Sequence, residues 1–317
     1  MDLGMVNAKG ISRKPHKTNT ARLAWALITP TALIVFGLVI FPAVFNIWVS
    51  FHNVGLHNLN DVFHAPFVGV QNYQRVFKDF SFEFQGWDNW GAAVTTVVYA
   101  FSATTLSTTL GLIAALLLNQ PFKGKGVARA IFLFPYVAPM VSIAFVWRWI
   151  LDPRPSGVLN DLLLRLNIID TSHAFLSTRG LSLIVVILLD AWRYFPFAML
   201  MILSRLQAVD DTLYEAATVD GANSVQKFFF ITLPELRYVI GAIFLLRLMW
   251  TFNKFDDIFL YTGGGFGTKV LSILTYEFSF RLYDFGRGAA TSVIQLLILV
   301  VFLVVYISLV MKSVGKE

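Results

Sequence analysis

Residues 215–234 read EAATVDGANSVQKFFFITLP, a mostly polar stretch set between long apolar runs. Leu213, Ala216, Ala217, Val219 and Ala222 suit a short helix with a small, shallow apolar face, and Asp210, Asp211 and Thr212 stand where its N-cap belongs. Gly221 can stop that helix, since glycine reaches positive φ at little steric cost. Asn223 and Ser224 can open a second short helix over 225–231, which Pro234 is expected to end or redirect. The pattern predicts a helix–turn–helix with alanines where another surface can come close. An amphipathic helix lying on a membrane surface has a similar composition, so both readings stand at this point.

The flanking sequence is built for lipid. The chain is 56% hydrophobic and 14% charged, whereas an ordinary soluble domain has about a quarter charged residues. A spanning helix needs roughly 20 predominantly apolar residues. Runs of that kind cover 23–48, 92–118, 130–150, 181–203, 238–261 and 288–311. The expectation is an all-α polytopic membrane protein with six transmembrane helices: a tail over 1–22, a membrane domain over 23–311 and a tail over 312–317. The 204–237 connection carries the opening stretch. The first run exceeds the apolar region of a cleaved signal sequence, and no small-residue cleavage site follows it.

Basic residues give the orientation. Lys9, Arg13, Lys14, Lys17 and Arg22 precede the first run, Lys123, Lys125 and Arg129 crowd the second connection, and Lys312 and Lys316 follow the last run. Both termini and the 204–237 connection are therefore expected on the cytoplasmic side. The 51–91 connection sets Arg75 and Lys78 against Asp61, Asp79, Glu83 and Asp88, and is expected outside. The net charge of +6 is spread over span ends rather than gathered on one face, and no nucleic-acid-binding motif accompanies it. Membrane lipid, not nucleic acid, is the expected partner. Zero cysteines exclude disulfides, thiolate metal sites and cysteine nucleophiles.

The spacing Glu215-Ala216-Ala217, then Gly221, Ile231 and Leu233-Pro234 matches the cytoplasmic signature of the membrane subunits of binding-protein-dependent ABC importers. The chain resembles that family over nearly its whole length. FPAVFNIWVSF (41–51), FPYVAPMVSIAFVWRWILDPRPSGVLN (134–160), LYEAATVDGA (213–222) and TFNKFDDIFLYTGGG (251–265) resemble the branch that imports carbohydrates, polyols and glycerol-phosphate compounds. The C-terminal end lacks the glycine-rich tail of the second permease partner, so the chain looks like the first, maltose-permease-like partner without its long extracellular domain. Members often carry a proline shortly before Glu-Ala-Ala. Asp210 and Asp211 occupy that place here, and a carboxylate cap is expected instead.

The resemblance implies a coupling helix made by Glu215, Ala216, Ala217, Asp220, Gly221, Ile231, Leu233 and Pro234, which docks on an ATP-hydrolysing subunit. It implies two such ATPase subunits, which bind ATP and Mg, a second homologous permease and an extracytoplasmic solute-binding protein. The location implied is the inner membrane of a bacterium or archaeon. The chain itself is expected to bind no cofactor and to catalyse no reaction. An asparagine in the fifth-span motif contributes to the sugar site of maltose-like relatives, which points to Asn253.

Residue chemistry adds candidates for the solute path. Asn253 offers donors and an acceptor for hydroxyl groups, Phe252 and Phe255 offer apolar ring faces, and Asp256 and Asp257 offer acceptors. Asp190 and Arg193 lie three residues apart on one helix face, beside Trp192 and Tyr194. Intramembrane charges face protein or water, so this pair reads as a helix-to-helix clamp or as a solute contact. An ion-coupled carrier using the two charges as a relay is the alternative transport reading, and a docking or signalling scaffold the non-transport one. Pro135 and Pro139 are expected to kink the third span. GGGFGTK (263–269) fails as a phosphate loop because Thr268 separates Gly267 from Lys269, and it is read as a flexible turn. His16, His52, His57, His64 and His173 lie in terminal or connecting segments and form no ligand set in the sequence, so no metal is expected.

Overall fold

A computed structural model of the chain describes residues 20–78, 91–154 and 157–314. Lys9, Arg13, Lys14, His16, Lys17, Asp79, Glu83, Asp88 and Lys316, which entered the charge and ligand readings, lie outside the described residues. The described chain is helical without a β-strand. In order its helices are α1 (Thr20–Val35), α2 (Phe41–Ser50), α3 (Gln71–Lys78), α4 (Ala92–Asn119), α5 (Lys125–Val137), α6 (Met140–Ile150) and α7 (Val158–Arg165). They continue with α8 (Leu181–Leu206), α9 (Asp211–Val219), α10 (Ser224–Lys227), α11 (Leu233–Phe252), α12 (Asp256–Thr262), α13 (Leu271–Tyr276) and α14 (Phe285–Val314). Among the described residues, 5 helices are long and apolar enough to cross a membrane, and the α5–α6 pair makes a sixth crossing if taken as one bent span.

Met1–Trp48 and Val49–Glu317 form separate compact units. The described part of the first is α1, which runs through a five-residue π turn at Phe36–Ile40 into α2.

In the second unit α4 and α8 lie backbone to backbone. Ala103, Ser107, Gly111 and Ala115 recur every fourth residue of α4 and are all buried. A Cβ on Gly111 would stand 2.5 Å from Ala198 Cβ and 2.8 Å from the Met199 nitrogen, so only glycine permits this approach. Small residues at such spacing are how helices associate in lipid, where no hydrophobic driving force acts between them. Ala198, Met199 and Ile202 of α8 then meet Leu236 and Ile243 of α11. Farther along, Val186 and Leu189 meet Ile258 of α12 and Ile273 of α13. Leu271, Leu274 and Phe278 pack on Ala290 and Ile294 of α14, with Val76 of α3 in the same cluster.

Several sequence expectations need correction. The third run is two helices, α5 and α6, bent by 94°. Pro139 has no N–H to donate and its ring forces the preceding residue out of the helical region, leaving Ala138 at φ −65, ψ 142. The fifth run does not continue to 261. It ends at Phe252, where the Asn253 side chain donates to the Met249 carbonyl at 2.9 Å, and α12 is a separate short helix. Pro234 does not end or redirect the second helix of the opening stretch. The helix from Ser224 passes through a π turn at Phe228–Thr232 into α11. A proline ring clashes with the i−4 carbonyl of a regular α-helix, and the wider π turn relieves that contact. The glycine-rich turn is tied rather than loose: Thr268 is fully buried, and its hydroxyl donates to the Gly265 carbonyl at 2.7 Å.

Candidate functional site

The 204–237 connection is built as a braced projection. Asp210 Oδ1 accepts the Thr212 N–H at 3.0 Å and caps α9, the carboxylate cap expected from the missing proline. That bond favours the ionised form and holds the Asp210 carboxyl below the usual carboxylate range. At the far end Gly221 takes φ +79. Its N–H reaches the Thr218 carbonyl at 3.1 Å, and the Ala222 N–H reaches Ala217 at 2.9 Å. These bonds close the helix in a Schellman turn, which requires the left-handed residue that glycine supplies.

Asn223 and Gln226 then exchange side-chain-to-backbone bonds of 2.9 and 2.8 Å, starting α10 with a capping box. Two ties brace α9 against α10 and the π turn: Lys227 Nζ to Thr218 Oγ1 at 2.7 Å, and Tyr214 Oη with Thr232 Oγ1 at 3.0 Å. Arg205 and Glu235 join the end of α8 to the start of α11 at 2.5 Å. Glu215, Ala216, Asp220, Gly221 and Pro234 are exposed, while Ala217, Ile231 and Leu233 are half-buried. Val219 is 89% and Val225 65% exposed, so the projection carries apolar side chains on its surface.

A second constellation lies between the spans. Asp190 of α8 accepts from Arg247 Nη2 at 2.7 Å and from Tyr99 Oη at 3.1 Å, with Asp190 and Arg247 each only 1% exposed. Asp190 and Arg193, adjacent on the helix face, serve different partners. Arg193 turns to the α5–α6 break and donates to the Pro135 carbonyl at 3.5 Å and the Ala138 carbonyl at 3.2 Å. The Pro135 carbonyl is the acceptor that an N–H at position 139 would have satisfied, so Arg193 replaces the donor that Pro139 lacks.

Arg247 and Lys254 were not singled out from the sequence. The signal for the first was an arginine inside the apolar run FLLRLMW (244–250), because an intramembrane charge requires a partner. Tyr194 lies close to both cations: Arg247 Cζ is 4.4 Å and Lys254 Nζ 4.3 Å from its ring centre. Lys254 also donates to the Tyr194 hydroxyl and pairs with Asp257 at 3.1 Å. Trp192 meets Trp147 edge-on at 5.3 Å.

Asn253 is exposed and lines a cavity of about 310 Å³ with Ser272, Thr275, Ser292 and Gln295. Phe255 stacks on Phe259 at 4.8 Å and meets Tyr276 at 5.1 Å, while exposed Asp256 stands 3.7 Å from Lys254. Phe252 is placed differently: it is 1% exposed, packs on Phe302 at 5.9 Å and turns into the core. A larger hollow of about 690 Å³ lies among α6, the segments 151–153 and 174–177, and α12. Trp149, Arg148 and Tyr261 line it, and the buried Tyr261 hydroxyl has no hydrogen-bond partner among the described residues.

Residues 107–315 match the family described as binding-protein-dependent transport system inner membrane component. Over 288 residues the chain is 35% identical to the inner membrane ABC transporter permease protein YcjO of Escherichia coli, covering 90% of this chain and 92% of that one. It is 33% identical over 293 residues to the trehalose/maltose transport system permease protein MalF of Thermococcus litoralis, covering 92% and 94% of the two chains. The trehalose transport system permease protein SugA of Mycobacterium tuberculosis is 30% identical over 283 residues, with 89% and 87% covered. The fold is similar to that of a chain in a bacterial ABC transporter involved in the import of alginate, at TM-score 0.71 and 20% identity over 92% of this chain and 96% of that one.

Proposed function

The chain belongs to the binding-protein-dependent transport system inner membrane components, and from that premise we propose that it is the permease subunit of an ATP-driven importer for a sugar or related polyol. The observation that carries the reading is the braced helix–turn–helix at 211–227, with exposed Glu215, Val219 and Val225 on a projection aimed by Gly221. Relatives named as trehalose and maltose permeases support the solute class.

With a second, similar permease the chain encloses the solute path across the inner membrane of a bacterium or archaeon, both termini facing the cytoplasm. Two ATPase subunits hold ATP and Mg and grip the projections, and an external solute-binding protein delivers the solute. Closure of the ATPases on ATP draws the projections together and turns the path outward; hydrolysis returns it inward. ATP drives this cycle only if the two nucleotide states hold the projection differently. In the path, Asn253 and Asp256 meet solute hydroxyls and the Phe255 ring supplies an apolar face. Trp192, Arg193 and Tyr194 support it from α8.

The test is uptake by proteoliposomes holding the whole complex, which should require ATP and persist when ion gradients are collapsed. Uptake driven by an ion gradient without ATP would transfer the chain to the secondary-carrier reading. In the same assay Asn253→Ala should lower uptake at limiting solute by roughly 2- to 10-fold, the loss of one hydroxyl partner, with assembly and basal ATP hydrolysis unchanged. Wild-type uptake would remove Asn253 from the path.

Orientation is open to thiol labelling, since the chain has no cysteine. Ser224→Cys should be protected from an impermeant reagent added outside intact cells, and Ser177→Cys should react. Labelling at position 224 from outside would reverse the projection's placement.

A further inference from the structure

The Asn253 amide is held by a chain of hydrogen bonds whose direction is fixed by backbone. Its Nδ2 donates to the Met249 carbonyl at 2.9 Å, and a carbonyl can only accept. Oδ1 therefore faces the other way, where it accepts from Gln295 Nε2 at 3.0 Å. Gln295 cannot reverse either, because the same nitrogen donates to the Phe252 carbonyl at 3.2 Å. Gln295 is 7% exposed on α14, while Asn253 is exposed at the end of α11. Both line the 310 Å³ cavity with the hydroxyl-bearing Ser272, Thr275 and Ser292. Asn253 keeps one N–H and one lone pair for a further partner, and which of them points where is set jointly by the Met249 carbonyl of α11 and Gln295 of α14.

We infer that Gln295 is a positioning residue for solute recognition, holding with the Met249 carbonyl which edge of the Asn253 amide donates and which accepts toward a polyhydroxyl solute. The inference rests on the reading of Asn253 as a solute contact. Gln295→Glu reverses the logic without changing size: a carboxylate oxygen would confront the Phe252 carbonyl and Asn253 Oδ1, all acceptors, and the Asn253 amide would turn over at the expense of its bond to Met249. Gln295→Met removes the donor without introducing charge and leaves the amide held by its Met249 bond alone, so that its orientation is less firmly set.

The experiment is uptake and ATP hydrolysis by the reconstituted complex with its solute-binding protein, using maltose, trehalose, glucitol and glycerol 3-phosphate as probes and following the one taken up best. Gln295→Glu should raise the KM for uptake about tenfold and Gln295→Met about threefold, with solute-free ATP hydrolysis unchanged. In an Asn253→Ala background both should add little, because the two residues act as one unit. If Asn253→Ala leaves the KM unchanged, or the wild-type complex takes up none of the probes, the reading of the site fails and the inference with it. If Asn253→Ala raises the KM while Gln295→Met does not, or while the effects are fully additive, the inference alone is overturned. Should Gln295→Glu fail to assemble, Gln295→Met decides.

Discussion

Asp190→Ala should cost about 3–5 kcal/mol of stability and sharply reduce the folded permease recovered from membranes, because it strands Arg247 as an unpaired charge between apolar helices. Arg247 is 1% exposed and has Asp190 as its ion-pair partner at 2.7 Å, so neither water nor a short side-chain movement can replace the lost carboxylate. Asp190→Asn keeps an acceptor for Nη2 and should be milder. Tyr99→Phe removes the second bond to the carboxylate and should cost about 0.5–1.5 kcal/mol. The instructive variant is Asp190→Leu with Arg247→Met. Replacing both members of a buried pair by apolar side chains of similar volume is often neutral, since the desolvation cost disappears with the attraction. Yield by size exclusion and thermal unfolding in detergent would measure all four. Asp190→Ala at wild-type yield and melting temperature would show that the pair does not hold α8 to α11. A double apolar variant that still transports would also retire the ion-relay reading, because Asp190, one of the two charges of the Asp190–Arg193 relay, would be gone.

The parts of this fold that were legible in the sequence are those governed by local rules. Gly221 takes positive φ, Asp210 caps α9 and Asn223 opens α10 because backbone sterics and capping demands act over a few residues. The apolar runs foretold the spans for the same reason, as hydrocarbon thickness sets a length that can be counted. What the sequence concealed was pairing between distant elements. Asp190 and Arg193 read as a clamp to other helices, and each does tie α8 to another element, but the partner Arg247, 57 positions away from Asp190, could not be named from the pair's own spacing. Pro139 announced a disturbance, but the 94° bend and the Arg193 donor that meets the exposed Pro135 carbonyl across 58 positions were not local features. Pro234 misled because its effect is absorbed by a π turn in the preceding segment, a device with no simple residue signature. Asn253 was visible as a candidate for solute hydroxyl groups, while Gln295, its hydrogen-bond partner, is distant in sequence and opens the apolar run of α14.

Gly221→Val should insert and assemble its spans normally yet uncouple ATP hydrolysis from uptake, the largest functional loss expected from a residue outside the solute path. At φ +79 a β-branched side chain is strained by about 1–3 kcal/mol through its own backbone alone, since a Cβ there meets no heavy atom within 4 Å. Nothing packed is disturbed, so the strain is relieved by giving up the turn. The Gly221–Thr218 and Ala222–Ala217 bonds then open, and α10 no longer leaves α9 at the angle that the Lys227–Thr218 and Tyr214–Thr232 ties require. Under the proposed function, a projection that bends would not transmit an ATPase's closure to α8 and α11, which it joins. Gly221→Asn separates this argument from a general intolerance of side chains, because asparagine enters the left-handed region more readily. It should retain most of the coupling, while Gly221→Val falls to basal uptake, and Glu215→Ala, which removes an exposed charge without touching the turn, should lie between them. Uptake and ATP turnover measured side by side in proteoliposomes give the coupling ratio. Wild-type ratios for Gly221→Val and Glu215→Ala at normal abundance would reduce the projection to a membrane-surface helix with no part in driving transport.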